Sequence, residues 1–433
     1  MKESNYNFFF EYQATKLCFN AMTCAFAEIG DDFMDALECL RNGQEVTDPD
    51  LLENMEYGGF IVGDEFDEKQ SLKLRSWSNK FSPENYGLTI APTLACNFAC
   101  LYCYESAKKG IMSKEVQQSI VEMVEDAANS KKDIQITWYG GEPLLAINVI
   151  REMSAQFIAI CAEHQVNYFA YMVTNGYLLT PEVIEQLKEC AIQNLQITID
   201  GPKEVHDSRR MLSNQKGTFD VIISNILQLV EAGIHPDIRI NVDKTNKDSL
   251  PQIIGYLKDL KLEQCRITFG HVNAYTEACA NIEGSCLNVK EYAEETIEYQ
   301  HLLHEAGFLA SEYPMYPGIK GNYCCADSVY SYVVDPEGYL YKCWNDIGNV
   351  EKSIGLITED EALTDLQYKT LADYLLWSPF EHEKCIECSI LPICMGGCPF
   401  NGMSQGGDPE CEKWKYNIEA ALGFIFENAS TSV

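Results

Sequence analysis

This 433-residue sequence has little positive charge. It contains 32 lysines and arginines against 65 aspartates and glutamates, which gives a formal net charge of −33. Proteins that bind nucleic acids neutralise phosphates with a basic surface. The excess of acid therefore argues against a nucleic-acid partner. An acidic surface is compatible with long-range electrostatic attraction of a basic peptide, and equally with a role in solubility alone.

The sequence also lacks long apolar runs and a secretory N-terminus. No stretch approaches the roughly 20 residues of a membrane span, and residues 1–6 have neither the basic start nor the apolar middle of a signal peptide. We therefore expect a cytoplasmic protein without a membrane partner. In that reducing compartment the 19 cysteines are not expected to form disulfides, so clustered cysteines favour metal binding or redox chemistry.

Three cysteines share one short segment, called here the cysteine loop (residues 93–105). Cys96, Cys100 and Cys103 have Cys-x3-Cys-x2-Cys spacing and directly follow a strand-like run. Three thiolates suit a [4Fe–4S] cubane with one open iron, because a fully protein-held cubane uses four. Zinc would require a fourth ligand nearby, and no second Cys-x2-Cys or His pair follows. Buried structural thiols are the alternative.

The cysteine loop resembles the signature loop of radical S-adenosylmethionine (SAM) enzymes. The resemblance implies that a reduced cluster cleaves SAM to a 5′-deoxyadenosyl radical, which abstracts hydrogen from an unactivated carbon. Phe98 and Tyr102 would then shield the cluster, unless they are ordinary core aromatics. No residue beyond the cluster is assigned a catalytic role.

Strand-like and helical segments alternate between about residues 86 and 307. The predicted strands are 87–91, 134–138, 168–173, 195–199, 238–242 and 266–269, and the predicted helices are 114–128, 147–163, 181–190, 219–232, 249–260 and 288–306. This alternation predicts an α/β fold with a parallel sheet covered by helices. Six units are fewer than the eight of a complete barrel, and they match the partial (β/α)6 barrel that the resemblance implies.

Ligand sites in such folds lie at the carboxyl ends of the strands. After the second predicted strand stand Gly140, Gly141, Glu142 and Pro143. They resemble the Gly-Gly-Glu-Pro motif that holds the methionine amine of SAM. The glycines would let the backbone approach the ligand, and Glu142 would accept hydrogen bonds from the ammonium.

Other candidate SAM contacts follow the third and fourth predicted strands. Asn175 and Asp200 would lie near the SAM ribose, or serve only in turns and caps. Arg210 would bind the SAM carboxylate, or merely pair with Asp207.

Glycine, proline and cysteine replace the periodic pattern in residues 311–433. The order of cysteines resembles the SPASM domain, which carries auxiliary clusters in radical SAM peptide maturases; structural zinc is the alternative. A chain this rich in loops requires metal to fix its shape. The resemblance assigns to the first auxiliary cluster Cys324, Cys343 and Cys398, and to the second Cys385, Cys388, Cys394 and Cys411.

The first auxiliary cluster then lacks a clear fourth ligand. Cys325 could serve, but the sharper hypothesis is an open iron that takes a cysteine thiolate of the substrate. The remaining thiols are expected to be buried small hydrophobes. Of these, Cys279 and Cys286 could lie close to the site.

Residues 1–75 are predicted to form a small separate unit, with a strand at 6–15 and helices at 17–29 and 31–41. Its order and size resemble the winged-helix-like recognition domain that takes a leader peptide as an extra strand; a structural cap is the alternative. Three domains are expected: a leader-peptide recognition domain (1–75), a radical SAM core (86–310) and a SPASM auxiliary-cluster domain (311–433).

These features predict a radical SAM maturase that installs thioether crosslinks in a ribosomally made, cysteine-rich peptide. Its cofactors would be SAM and three [4Fe–4S] clusters, one radical SAM and two auxiliary, with flavodoxin or ferredoxin as electron donor. Alternatives are formylglycine formation, epimerisation or a carbon–carbon crosslink. A non-catalytic electron carrier or a zinc-binding module remains a further reading.

Metal analysis tests this assignment. Because each cubane contains four irons and four sulfides, anaerobically reconstituted protein should hold about twelve of each per chain. Zinc without sulfide would contradict the prediction. Iron and sulfide assays on the same sample, with zinc measured in parallel, distinguish three iron–sulfur clusters from structural zinc.

Overall fold

A computed structural model describes residues 1–105, 109–308, 315–359, 361–404 and 406–429. The chain divides into two compact units. Unit one comprises Met1–Phe81, Glu312–Cys324 and Leu376–Val433, and unit two comprises Ser82–Ser311 and Cys325–Leu375. The division into three domains stays a prediction, and its boundary at 310/311 lies outside the described residues.

The helices and strands span both units. The strands in chain order are β1 (Lys2–Glu3), β2 (Asn7–Tyr12), β3 (Thr15–Asn20), β4 (Ala25–Glu28), β5 (Ile61–Val62), β6 (Asn85–Ile90), β7 (Asp133–Trp138), β8 (Asn167–Thr174), β9 (Ile192–Thr198), β10 (Asp237–Val242), β11 (Arg266–His271), β12 (Ser331–Val334), β13 (Tyr339–Tyr341) and β14 (Gly355–Leu356). The helices are α1 (Asp31–Arg41), α2 (Pro49–Tyr57), α3 (Glu68–Lys80), α4 (Lys114–Ala128), α5 (Ile147–His164), α6 (Pro181–Glu189), α7 (Lys203–Arg209), α8 (Phe219–Glu231), α9 (Leu250–Asp259), α10 (Val289–Ala306), α11 (Asp365–Leu375), α12 (Glu383–Ile386), α13 (Leu391–Cys394), α14 (Pro399–Ser404) and α15 (Trp414–Ala429).

Unit two contains one sheet with the strand order β11-β10-β9-β8-β7-β6-β12-β13-β14. Strands β6 to β11 run parallel in chain order, so the six predicted strands are all present. The sheet as a whole is mixed, because β13 and β14 pair antiparallel. The predicted parallel sheet is confirmed for β6 to β11, and the strands β12 to β14, which were not predicted, extend it. Strands of four, three and two residues are too short to give a readable period in the sequence.

Side chains alternate between the two faces of this sheet. The helix-covered face is apolar and almost fully buried, as Leu88, Ile136 and Ile240 are at most 1% exposed. The intervening positions on the other face carry polar residues such as Thr137 and Arg239. A complete barrel fills its interior with branched apolar side chains. The polar face here suits a bound ligand instead.

One helical stretch, Pro143–His164, is long and apolar enough by length and composition to cross a membrane. No such stretch was expected from the sequence. In the structure Ile150, Met153 and Phe157 on it are fully buried in the core of unit two. Its apolar residues therefore belong to the protein core beside the sheet.

The N-terminal part of unit one is a three-stranded antiparallel sheet, ordered β2-β3-β4, with helices α1 to α3. Residues 17–29 form strands β3 and β4, so the helix predicted there was wrong. Cys24 has φ +59°, a left-handed conformation that a helix cannot contain. The Asn20 side chain closes the turn by accepting from the backbone N–H groups of Met22 and Thr23.

The C-terminal helix α15 packs on this N-terminal sheet within unit one. Tyr12 donates from its hydroxyl to Glu427 Oε1 at 2.9 Å. A Cβ added to Gly423 would lie 2.3 Å from the Tyr12 ring, so only glycine permits this contact. The first and last parts of the chain therefore share one unit, which the sequence did not reveal.

Asn20 provides a test of this sheet. Its fully buried side chain donates to Ser4 Oγ and Asn7 Oδ1 and to the Gly59 carbonyl oxygen. Because Asn20→Ala leaves several buried groups without their hydrogen-bond partner, we expect it to lower the free energy of unfolding of unit one by about 3 kcal/mol. Urea unfolding followed by circular dichroism measures this. Asn54→Ala, at an exposed helical position of the same unit, should stay within about 0.5 kcal/mol. Equal midpoints for both variants would contradict the assignment.

Candidate functional site

The cysteine loop follows β6 at the carboxyl edge of the sheet. Cys96 and Cys100 are half-buried and Cys103 is exposed. Burial raises the pKa of the Cys96 thiol to about 12 and also raises the pKa of Cys100. Without metal these thiols therefore stay protonated at neutral pH, and metal binding must release the protons.

Backbone hydrogen bonds hold this loop against residues 209–213. The N–H of Ala99 donates to the Met211 carbonyl at 2.9 Å, and the N–H of Leu101 donates to the Arg209 carbonyl at 3.1 Å. Phe98 and Leu212 form an antiparallel bridge next to the Ala99–Met211 pair. The segment after α7 therefore fixes the path of the ligand-bearing loop, a role that its sequence did not indicate.

The two motif glycines pack on the backbone of the cysteine loop. A Cβ on Gly140, whose φ is +107°, would lie 2.4 Å from the Thr93 carbonyl oxygen. A Cβ on Gly141 would lie 2.4 Å from the Ala95 carbonyl oxygen. The glycines thus bring two loops together. Their predicted approach to a ligand stays a prediction.

Glu142 joins this motif to the end of β8. Its fully buried carboxylate accepts from Thr174 Oγ1 at 2.7 Å, from the Asn175 N–H at 2.7 Å and from the Leu144 N–H at 3.1 Å. Burial raises its pKa, while these donors act in the opposite direction. Both oxygens already have partners, so any SAM ammonium would share an acceptor that also holds the loops together. Pro143 is buried and begins the next helical turn.

Asn175 lies beside the first ligand cysteine. Its Nδ2 donates to Asn97 Oδ1 at 2.8 Å and lies 3.9 Å from Cys96 Sγ. Its own Oδ1 accepts from the Tyr177 N–H at 3.0 Å. The residue therefore combines the turn role with contact to the cysteine loop.

Asp200 belongs to a buried ion-pair network. Arg209 donates from Nε to Asp200 at 3.2 Å and from Nη1 to both oxygens of Asp243 at 2.8 and 2.7 Å. The second Asp200 oxygen accepts from the Asn241 N–H. All three charged groups are buried, and breaking such a network would leave an uncompensated charge. This geometry gives Asp200 a structural role between β9 and β10.

Arg210 points toward the cysteine loop. Its Nη1 donates to the Tyr102 hydroxyl at 2.8 Å, and its guanidinium lies 5.7 Å from the centre of the Phe98 ring. Burial disfavours its charge, but Tyr102, Cys100 and Asp200 outweigh burial and raise its pKa. Among the described residues no ion pair joins it to Asp207, which instead accepts from backbone N–H groups at the start of α8.

Two buried donors beside the ligand cysteines have no partner in the described part of the chain. They are Arg210 Nε and Asn97 Nδ2. A cluster with its sulfides, or a SAM carboxylate, would supply acceptors for such donors. The three thiols and these two donors therefore fit the predicted cofactors.

An aromatic and acidic group next to the cysteine loop was not predicted from the sequence. The hydroxyls of Tyr104 and Tyr139 are hydrogen-bonded to each other. Glu105 is hydrogen-bonded to Tyr139, and burial raises its pKa to about 7. The Trp344 ring lies 4.5 Å from the Tyr139 ring, centre to centre. Tyr104 and Glu105 directly follow Cys103, and Tyr139 directly precedes Gly140, so proximity to the two motifs was the available signal.

Within unit one, four cysteines line one cavity of about 160 Å³. They are the four assigned to the second auxiliary cluster: Cys385, Cys388, Cys394 and Cys411. Lys415 Nζ lies 3.9 Å from Cys388 Sγ. Within the described ranges no group of three or more His, Cys, Asp or Glu is arranged to hold a single metal ion. Four thiols around one cavity suit a larger, thiolate-bound group.

The residues assigned to the first auxiliary cluster are divided between the units. Cys324 and Cys398 belong to unit one. Burial is the main cause of the raised pKa of the Tyr323 hydroxyl, and the nearby Cys398 and Cys324 raise it further. Cys343 belongs to unit two, as does Cys325. The ligand set of this cluster stays a prediction.

Most of the remaining thiols are buried, as expected. Those at most 2% exposed are Cys18, Cys161, Cys190, Cys265 and Cys279. Cys279 does lie near the site, because its Sγ is 3.8 Å from Thr276 Oγ1, which donates to the Tyr104 carbonyl. Cys286 is half-buried and its Sγ contacts the Ile282 carbonyl.

Comparison with known proteins gives three kinds of likeness. Residues 90–257 match the sequence model of the Radical SAM superfamily. A cysteine-type anaerobic sulfatase-maturating enzyme from Clostridium novyi is 26% identical over 332 residues, 71% of this chain and 85% of that protein. Native anSMEcpe with bound AdoMet and a Kp18Cys peptide has a TM-score of 0.63 at 20% identity, covering 81% of this chain and 100% of that one. Streptococcus suis SuiB bound to its precursor peptide SuiA has a TM-score of 0.54 at 14% identity, covering 95% and 98%.

Residues 90–257 are therefore a radical SAM domain, and the prediction of a radical SAM enzyme is confirmed. Such a domain implies SAM and one [4Fe–4S] cluster. At these identities the solved structures show the fold alone, a radical SAM α/β fold. The number of clusters, the SAM contacts and the thioether chemistry stay predictions.

Gly141 tests the contact that positions the cysteine loop. In Gly141→Ala the new Cβ would meet the carbonyl oxygens of Leu94 and Ala95 at 2.7 and 2.4 Å, so the loop must shift. We expect iron bound at this loop to fall several-fold, because displaced ligands lose the geometry that holds the metal. Gly255→Ala is the control, since its Cβ would meet nothing within 4 Å. Iron content and visible absorbance measure the effect. Both are measured in two backgrounds, one that retains Cys385, Cys388, Cys394 and Cys411 and one that lacks them. Equal iron at the loop in both glycine variants would contradict the prediction.

Proposed function

We propose that this chain is a radical SAM maturase that installs thioether crosslinks in a ribosomally synthesised, cysteine-rich precursor peptide. The observation that carries the proposal is the cavity lined by Cys385, Cys388, Cys394 and Cys411, in a chain that also has a radical SAM domain. The domain by itself requires one cluster. Four further thiols around one cavity support an additional redox centre, as expected for an enzyme that oxidises its substrate.

When bound, SAM and the clusters would supply the radical that removes hydrogen and the one-electron redox capacity for a net oxidation. In this proposal Cys96, Cys100 and Cys103 hold the radical SAM cluster. Arg210 binds the SAM carboxylate through its Nε, which has no partner among the described residues, while its Nη1 donates to Tyr102 of the cysteine loop. Asn175 contacts SAM from the end of β8, where it already touches Asn97.

The remaining motif residues hold the site together in this proposal. Gly140 and Gly141 lie on the loop backbone, and Glu142 ties them to β8 while sharing its carboxylate with the SAM amine. Asp200 keeps Arg209 in place and so anchors the segment that pairs with the cysteine loop. Phe98 and Tyr102 exclude water from the buried side of the loop, since both contact the arginines beside it.

Residues 1–75 are proposed to recognise the leader part of the precursor. In the three-stranded sheet of unit one, β2 and β4 pair, among the described residues, only with β3. A free strand edge offers main-chain hydrogen bonds to an extended peptide. The likeness to SuiB, which was solved with its precursor peptide and covers 95% of this chain, supports this role. Flavodoxin or ferredoxin is the proposed electron donor, and the cytoplasm the proposed location.

Formylglycine formation is a second candidate. The sulfatase-maturating relative, aligned over 71% of this chain, favours it. In that reaction a peptide cysteine loses its sulfur as sulfide together with two hydrogens, and water supplies the aldehyde oxygen. A thioether instead keeps the sulfur, forms one carbon–sulfur bond and loses two hydrogens.

Mass spectrometry separates the two. Anaerobically reconstituted enzyme is incubated with SAM, dithionite and a small cysteine-rich peptide encoded beside this protein. The thioether proposal expects loss of two hydrogens per crosslink, one fewer alkylatable thiol per crosslink, and formation of 5′-deoxyadenosine. Replacement of sulfur by oxygen, with an aldehyde that reacts with a hydrazine, would favour formylglycine.

Two controls complete this experiment. Cys96→Ala enzyme lacks a ligand of the radical SAM cluster and should leave the peptide unchanged. A peptide with its cysteines replaced by serine should form no crosslink. A precursor whose mass stays constant while SAM is consumed would refute both candidates.

A further inference from the structure

Four side chains of unit two form a group around Tyr139 at the carboxyl ends of β6 and β7. Tyr139 is hydrogen-bonded to Tyr104 through the two hydroxyls and to Glu105 through the carboxyl group. The Trp344 ring packs on the Tyr139 ring at 4.5 Å between centres and 42° between planes. Tyr275 meets Tyr104 edge-on. These contacts leave the group little freedom to rearrange.

Two buried polar atoms of this group have no partner among the described residues. They are Glu105 Oε2, an acceptor, and Trp344 Nε1, a donor. Buried polar atoms in folded proteins are nearly always hydrogen-bonded, because the lost contact with water is otherwise not replaced. Both residues contact the Tyr139 side chain, Glu105 through a hydrogen bond and Trp344 through its ring. A bound molecule that reaches this group must therefore bring one donor and one acceptor to satisfy both atoms.

We propose that Glu105 and Trp344 form a subsite for one backbone amide of the substrate. The amide N–H donates to Glu105 Oε2, and its carbonyl oxygen accepts from Trp344 Nε1. The inference rests on the proposed function, in which the substrate is a peptide. It goes further by naming the part of the peptide that is held and the two side chains that hold it.

The chemistry of the pair favours an amide over other groups. An ammonium would suit Glu105 but offers no acceptor to Trp344, and a carboxylate would suit Trp344 but be repelled by Glu105. A neutral amide supplies both roles in one planar unit. Trp344 also lines a cavity of about 120 Å³ together with Thr89 and Thr137. This cavity has room for a small side chain beside Trp344.

The location fits substrate positioning. Glu105 follows the last ligand cysteine by two residues, and Tyr139 directly precedes the Gly-Gly segment that packs on the cysteine loop. An amide held here would place the adjoining peptide carbon beside the proposed cofactor site. Correct placement of a reacting carbon contributes much of the rate in reactions of this kind.

Capped peptides test the subsite. The probes are acetyl-Gly-Cys-Gly-amide and the same peptide methylated on the cysteine backbone nitrogen, which removes one N–H donor. Binding to the anaerobic, cluster-loaded full chain is measured by isothermal titration calorimetry without reductant. Because a hydrogen bond to the buried Glu105 carboxyl oxygen is lost, we expect the methylated probe to bind about tenfold more weakly to the wild-type protein.

Variants assign the effect to the two atoms. In Glu105→Ala the two probes should bind equally. Trp344→Phe keeps the ring contact with Tyr139 but removes the donor, so both probes should weaken while the preference between them remains. Asp335→Asn is the matched control, a buried carboxylate that accepts from the Tyr341 hydroxyl in the β12–β13 turn, and it should retain the full preference. Iron content and circular dichroism verify each variant.

The possible results distinguish failure of the subsite from failure of the proposed function. Equal binding of the two probes to the wild-type protein, no saturable binding of the parent probe, or a preference that survives Glu105→Ala would each overturn the subsite. If Glu105→Ala fails to load its cluster, an unchanged affinity of Trp344→Phe for the parent probe overturns it as well. Since no turnover is involved, a preserved preference with an unmodified precursor would count against the proposed function alone. A modified precursor without the preference would count against the subsite alone.

Discussion

The position of the three ligand cysteines depends on one close backbone contact. Gly140 and Gly141 lie so near the carbonyl oxygens of Thr93 and Ala95 that a side chain at either position would collide with them. Glu142 then links the same segment to the end of β8 through two hydrogen bonds. The ends of three neighbouring strands are thereby locked together, and this gives a loop without regular secondary structure the rigidity that a metal site requires.

The polar residues at this edge fall into two groups according to their partners. Asp200, Arg209 and Asp243 satisfy one another within a buried network, which keeps charges in the core at tolerable cost. Arg210, Asn97, Glu105 and Trp344 each retain a buried atom without a partner among the described residues. The first group fixes the scaffold, and the second offers hydrogen bonds to bound molecules. The proposed cofactor contacts and amide subsite both rest on that distinction.

Unit one combines segments that are far apart in the sequence. The N-terminal sheet, a short linking segment and the cysteine-rich C-terminal helices form one compact body. The contact between Tyr12 and Gly423 is one example of the packing that joins them. The proposed leader-recognition sheet and the cavity of four cysteines therefore belong to the same unit. Loading of metal in that cavity should consequently influence the stability of the N-terminal sheet.

The six parallel strands, their helices and the cysteine spacings could be predicted from the sequence, because these depend on local periodicity and on ligands close together in the chain. It could not determine that Asp200 is consumed by an ion pair, that 17–29 is a hairpin, or that β12 to β14 extend the sheet. The contacts of Tyr139 with Glu105 and with Trp344 were equally invisible. These features depend on tertiary packing, because Tyr139 meets partners 34 and 205 positions away, and even nearer partners such as Asp200 and Arg209 are chosen by packing and not by any pattern along the chain.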